Sequence, residues 1–287
     1  MSEIIAKAID PLIIIFLTST MLACGLGLTV KEIFAPFRNV RLTISAALMN
    51  FLIVPLIAIA AARLVGLEES LRYGLVLIAM GAPAEASPKF TSSAKGNLGL
   101  SVGLLVLCLG VAVVYFPAML SVLLPDVQFD REKLLVKLCL TLALPIILGL
   151  SVKARWDTFA DRLGHYMHKI SFLSMVLVTG LLVILYWNNI IEVLGSGAIG
   201  AALIFVVVSF IAGYLLGWPD RGARVATGFA AAARNNSVAL MVATMTFGDR
   251  PQVLLMIVIT AAVTLIVLLP VSIILGRRAS RQEIAAK

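Results

Sequence analysis

Two stretches of this sequence gather residue types that can hold an ion or a charged molecule, and both lie in apolar surroundings. The first, Gly81-Ala82-Pro83-Ala84-Glu85-Ala86-Ser87-Pro88-Lys89, brings a carboxylate, a hydroxyl and an ammonium together with two prolines. The second, Gly228-Phe229-Ala230-Ala231-Ala232-Ala233-Arg234-Asn235-Asn236-Ser237, brings a guanidinium, two amides and a hydroxyl. Carboxylate, amide and hydroxyl oxygens accept and so suit cations. Ammonium and guanidinium groups only donate and so suit anions. Proline removes a backbone donor and clashes with the preceding turn, so Pro83 and Pro88 are expected to be helix-breaking. A helix broken at mid-membrane exposes unpaired N–H and C=O groups that can take up an ion or a substrate. The candidate substrate- or ion-binding residues are therefore Glu85, Ser87, Lys89, Arg234, Asn235, Asn236 and Ser237.

The elements that must carry these residues follow from composition. The chain has 287 residues, 61% hydrophobic and 13% charged, with a mean hydropathy of +1.06. Soluble domains average roughly 45–50% apolar and about 25% charged. So apolar a chain fits an all-α polytopic membrane protein in a lipid bilayer, and it excludes a disordered chain, a disulfide scaffold and a nucleic-acid-binding domain. Apolar stretches of spanning length run over Pro11–Thr29, Leu42–Leu64, Leu71–Ala94, Leu98–Leu124, Leu134–Val152, Ile170–Trp187, Val193–Gly217, Ala223–Phe247 and Val253–Leu275. About nine transmembrane helices in one transporter domain, residues 1–287, are expected, with broken helices at about 71–94 and 223–247. The stretch Lys153–Lys169 reads as a loop with an interfacial helix. The net charge of +8 is carried by loops on one side: Lys31, Arg38 and Arg41, then Lys153, Arg155 and Arg162, then Arg221 and Arg224, and a tail with Arg277, Arg278, Arg281 and Lys287. Positive loops stay inside, which places the N-terminus outside and the C-terminus in the cytoplasm of a cell membrane. Met1–Asp10 lacks the basic start of a cleaved signal peptide.

Charges at mid-membrane are costly and mark function by default. The simpler reading is an ion pair, Glu85 with Arg234 or with Lys89 four residues on, that only ties the bundle together. Asn50 and Ser101 stand in apolar helices, where each alone suits an interhelical hydrogen bond. Thr18, Ser19 and Thr20 line a cavity or bond to their own backbone. Gly195, Gly197 and Gly200 suit close helix packing. Cys24, Cys108 and Cys139 have no metal-binding spacing. No P-loop, GxSxG or HExxH motif is present, so neither an enzyme nor an ATP-driven pump is expected.

Three runs resemble the bile acid:sodium symporter family: Met21-Leu22-Ala23-Cys24-Gly25-Leu26-Gly27-Leu28-Thr29, Ala94-Lys95-Gly96-Asn97-Leu98-Gly99-Leu100-Ser101-Val102, and Asn236-Ser237. The resemblance extends from about Pro11 to Leu275. It implies an inverted-repeat transporter whose core domain contains two crossed discontinuous helices and moves against a panel domain built from spans one, five and six. It also implies a small organic anion as cargo, bile-salt-like or a carboxylate, carried in symport with sodium. Asn50, Ser101 and Asn235 would offer oxygens to that sodium, and no other cofactor is implied. This chain departs from the family pattern where Ser87, Pro88 and Lys89 stand at a Ser-Asn pair, Leu105 at a threonine and Ala231 at a glutamate. The family's carboxylate is thus missing, with Glu85 a substitute from the other helix, and Lys89 and Arg234 are the cations expected to stand in for bound sodium. A cation/proton antiporter built on Glu85 and Lys89 is the alternative, and a non-transporting membrane receptor or scaffold is the second.

Overall fold

The computed structural model describes residues 2–28, 40–124, 129–187, 189, 193, 195–247 and 250–285. Lys31, Arg38 and Lys287 of the basic loops lie outside the described residues. The described residues are almost entirely helical. Seven helices among them are long and apolar enough to cross a membrane. They belong to α1 (Ser2–Gly27), α2 (Val40–Val65), α5 (Leu98–Leu123), α6 (Arg131–Arg155), α7 (Asp157–Leu185), α8 (Ala198–Leu216) and α11 (Pro251–Ala285). The two polar stretches fall instead in pairs of shorter helices, α3 (Glu69–Met80) with α4 (Ser87–Ser93) and α9 (Arg221–Ala232) with α10 (Asn236–Thr246).

Local chemistry sets most of these ends. Asn97, Asp130, Asp220 and Asn235 each accept from the backbone N–H three residues on, at 3.0, 3.1, 2.6 and 3.1 Å. Such side chains satisfy donors that a helix start leaves unpaired. Gly66 closes α2 with a φ of 72°. Its N–H donates to Arg63 and that of Leu67 to Ala62, the left-handed stop that glycine makes without strain. Pro83 lies inside the first interruption, whereas Pro88 sits in the first turn of α4. There its missing N–H costs nothing, so Pro88 starts a helix rather than breaking one.

Three further expectations are corrected. No separate interfacial helix occupies 153–169: α6 continues to Arg155, Trp156 alone intervenes, and α7 runs on from Asp157. Lys153 bridges that corner, to Asp157 at 2.7 Å and Asp161 at 2.5 Å. The early turns of α7 are polar on one side but bury Ala160 and Gly164 on the other, and that one-sidedness hides their continuity with the apolar part. Gly197 is the turn before α8, with a φ of 81°, and Gly195 and Gly200 have open space where a Cβ would sit. That glycine run makes a helix start, and only Gly197 packs closely, where a Cβ would stand 2.5 Å from Val65 of α2. Finally, α1 begins before Pro11 and carries that proline inside it.

The helices sort into two groups. α1 packs against α7 and α6, while α8 gathers α2, α9 and α11, and α11 also packs on α3. The first group closes where Gly25 of α1 meets Gly149 of α6. A Cβ on Gly25 would stand 2.4 Å from the Ile146 carbonyl oxygen, and one on Gly149 would stand 2.7 Å from that of Leu22. Both obstacles are backbone and cannot swing aside. Gly149→Ala is expected to cost about 1–3 kcal/mol by overpacking, whereas Gly180→Ala, on α7 with open space around it, should be neutral or slightly stabilising. Thermal unfolding of the two variants in detergent checks the contrast, and equal midpoints would contradict it.

Candidate functional site

The two interruptions cross. The Ala84 N–H donates to the Ala233 carbonyl at 2.8 Å and the Asn235 N–H to the Ala82 carbonyl at 2.9 Å, so Pro83 and Arg234 face each other as an isolated antiparallel bridge. Each break thus satisfies backbone groups that the other leaves open. Gly81 lies so near the second break that a Cβ there would stand 3.3 Å from the Asn235 carbonyl oxygen.

Arg234 sits at this crossing and is only 2% exposed. Nη1 donates to Asn50 Oδ1 at 2.5 Å and to the Ala230 carbonyl at 3.3 Å. Nη2 donates to the carbonyls of Ala79 at 2.8 Å and Asn50 at 3.3 Å, and also to that of Gly81. Ala79 and Gly81 mark the C-terminal end of α3, where unpaired carbonyls carry the negative end of the helix dipole. Asn50 reaches the site through a π turn, Met49–Ile53, in α2. In that turn the Val54 N–H donates to Met49 instead of Asn50, and the next donor along would be Pro55, which has none. The Asn50 carbonyl is therefore left for Arg234, and that of Phe51 accepts from the Tyr115 hydroxyl at 2.5 Å. Pro55 and Tyr115 went unread in the sequence, although a proline inside an apolar span was the available signal.

The ion pairs expected of Glu85 do not form: among the described residues no ion pair within 4.0 Å joins it to Lys89 or Arg234. Glu85 lies in the turn before α4, half-buried, and Lys89 is exposed on α4. Glu85 is within electrostatic range of Lys89 and of Cys24 on α1, and Lys89 of His168 on α7. Each charge thus comes within range of a helix of the other group, while α4 itself packs on α5, α9 and α11.

The remaining candidates divide into separate contacts. Ser87 and Ser101 are buried and 3.4 Å apart through their hydroxyls, and Thr91, which sequence reasoning missed, donates to Ser101 at 3.1 Å. Asn235 Oδ1 caps α10 and accepts from the Ser237 hydroxyl at 2.7 Å. Asn236 is half-buried at the first position of α10. The side-chain oxygens of Asn50, Ser101 and Asn235 are thus engaged by three different sets of partners. Arg234 Nε and Asn235 Nδ2 are buried donors without a partner. The run Ala94–Asn97 is a turn that joins α4 to α5. Lys95 adopts a φ of 53°, and a Cβ on Gly96 would strike Val225 at 2.5 Å.

Two cavities lie away from the crossing. One of about 860 Å³ is lined by Arg41, Ser45, Asn97, Trp218 and Asp220 among others, where α2, α5 and α9 begin and α8 ends. The other, about 320 Å³, runs between α1, α6 and α7 past Thr18 and Ser19. Those two hydroxyls also bond to backbone carbonyls four residues earlier, at 2.7 and 2.6 Å, so both readings of them hold. Thr20 does the same and meets the Ser171 hydroxyl at 2.5 Å.

With this geometry in hand, comparison with known proteins is decisive at the level of family. The model of the Sodium Bile acid symporter family matches residues 14–193, more than half of the chain. The chain belongs to the sodium bile acid symporter family. The matched stretch includes Asn50, Pro83–Lys89 and Ser101, while Arg234–Ser237 lie beyond it. Among relatives in this family of transporters, the chain is 29% identical over 200 residues to the chloroplastic "Probable sodium/metabolite cotransporter BASS2" of Oryza sativa subsp. japonica, covering 69% of this chain and 46% of the relative. It is 27% identical over 213 residues to the "Uncharacterized sodium-dependent transporter YocS" of Bacillus subtilis (strain 168), covering 73% of this chain and 64% of the relative. It is 24% identical over 205 residues to the chloroplastic "Probable sodium/metabolite cotransporter BASS1" of Arabidopsis thaliana, covering 70% and 50%. The chain spans less than two thirds of the length of each of these relatives.

Proposed function

We propose that this chain is a secondary active transporter that carries a small organic anion, bile-salt-like or a carboxylate, by alternating access. The observation that supports this most is the backbone-paired crossing of two interrupted segments, with Lys89 exposed on the short helix that leaves it. In this reading the seven long helices and the two interrupted segments make nine passes in one domain, arranged as an inverted repeat. The group α1, α6 and α7 acts as the panel, and the crossing moves with the core. Lys89 and Glu85 face the cleft and meet the cargo, while Ser87, Ser101, Asn235, Asn236 and Ser237 shape the crossing behind them.

The positive loops support an N-terminus outside and a C-terminus in the cytoplasm, and YocS, from a bacterium, supports a plasma-membrane location. The arrangement of ends supports one positive face: Arg41 shares a cavity with the start of α9, and Arg221 donates to the Ala94 and Leu275 carbonyls at 3.4 and 3.0 Å. Sodium symport is the expectation carried by the relatives' names.

Uptake of radiolabelled bile salts and short carboxylates into proteoliposomes, each with and without a sodium gradient, tests the reading. Saturable anion uptake above protein-free vesicles is the expected result. No anion uptake, with proton movement on addition of sodium or potassium instead, would favour the antiporter reading built on Glu85.

A further inference from the structure

We infer that the oxygens around Arg234 form a monovalent-cation site, which this chain fills permanently with its own guanidinium group. The site is made of the Asn50 side-chain and main-chain oxygens and the carbonyls of Ala79, Gly81 and Ala230. These five oxygens come from three helices, α2, α3 and α9, and all are neutral. No carboxylate lies within ion-pair distance of Arg234 among the described residues. A buried cation is normally held by an opposite charge, because desolvation costs several kcal/mol. Here fixed dipoles take that part: the end of a half-helix and a carbonyl freed by a π turn. Cages of carbonyl and amide oxygens at unwound helix ends are what replaces the hydration shell of a monovalent metal ion.

The side chain that fills the cage is tethered, and with an exposure of 2% it is closed off from the surface on which Lys89 stands. The two cations of the sequence therefore take different parts: Arg234 occupies an ion's place, and Lys89 is open to a ligand. It follows that sodium does not bind at this position in the wild-type protein. What that means for coupling rests on the transporter reading above, but the occupancy itself does not.

The test uses the purified full-length protein in detergent and needs no transported substrate. Thermal unfolding is followed against sodium, potassium and low-millimolar guanidinium chloride, with choline chloride holding ionic strength constant. Wild type is expected to show no sodium-specific shift. Arg234→Ala is expected to unfold at lower temperature and to regain stability saturably with guanidinium or sodium, by about 3–5 °C at ten times the dissociation constant. Arg234→Ala protein that folds yet answers to none of these cations overturns the inference. If that variant fails to fold, wild type still decides: a saturable sodium-specific rise that Asn50→Ala abolishes would put free sodium in the cage and overturn it. Because none of these readouts involves transport, failure to find a carried anion would count against the proposed function and leave this inference standing.

Discussion

Replacing Asn50 by leucine is expected to destabilise the protein by about 3 kcal/mol, because it leaves a buried charged donor without its side-chain acceptor. Asn50 Oδ1 is the acceptor for Arg234 Nη1, and its Nδ2 donates to the Ala46 carbonyl at 2.7 Å. Leucine keeps the branched shape but removes both bonds, and the residue is 1% exposed and so closed to bulk solvent. The effect should be conditional on the guanidinium. In a double-mutant cycle with Arg234→Met, the two losses should sum to clearly more than the double variant shows, by about 1 kcal/mol or more. Thermal or denaturant unfolding of the four proteins measures this. Simple additivity would mean that Asn50 does not support Arg234.

The second large effect is on transport rather than stability. Lys89→Ala is expected to lower the apparent kcat/KM for anion uptake about 10-fold or more, since a hydrogen bond to a charged group contributes about 1.5–3 kcal/mol. Lys89 is exposed and has no ion-pair partner within 4.0 Å among the described residues, so its truncation should leave the unfolding midpoint close to wild type. Lys89→Arg should retain most of the activity. Uptake by Lys89→Ala equal to wild type would remove this residue from the substrate path. The contrast with Arg234 is sharp: one cation is read out by transport at unchanged stability, the other first by stability.

The positions of the two interruptions were legible in the sequence because their causes are local. Pro83 and the run Arg234-Asn235-Asn236 interrupt apolar periodicity on their own. Helix starts at Asn97, Asp130 and Asp220 follow from side chains acting three residues away. What the guanidinium binds was not legible, because its acceptor Asn50 lies 184 residues away and is freed by a backbone irregularity. Thr91 was missed for a similar reason: a hydroxyl on the preceding helix that meets Ser101 only in space carries no local mark. Glu85 and Lys89, read as a helical pair, fall on either side of a helix start, which keeps them out of ion-pair distance though within electrostatic range. Pro88 was misread because a proline in a first turn and a proline in a helix interior are the same letter.

The π turn in α2 also settles which side of that helix faces lipid. Val40, Ile44, Leu48, Leu52, Leu56, Ala60 and Leu64 are all exposed, a stripe with a strict four-residue beat. An α-helix turns about 100° per residue, so such a beat drifts steadily around its axis. The wider turn at Met49–Ile53 holds about one residue more than an α turn and takes up much of that drift. Deleting one residue there would restore a regular helix and rotate one half of α2 against the other by about 100°. The greasy stripe would then be split between bilayer and protein, and Asn50 would lose its bearing on the crossing. The irregularity works as a phase corrector, which lets one helix keep step with both the membrane outside and the charge within.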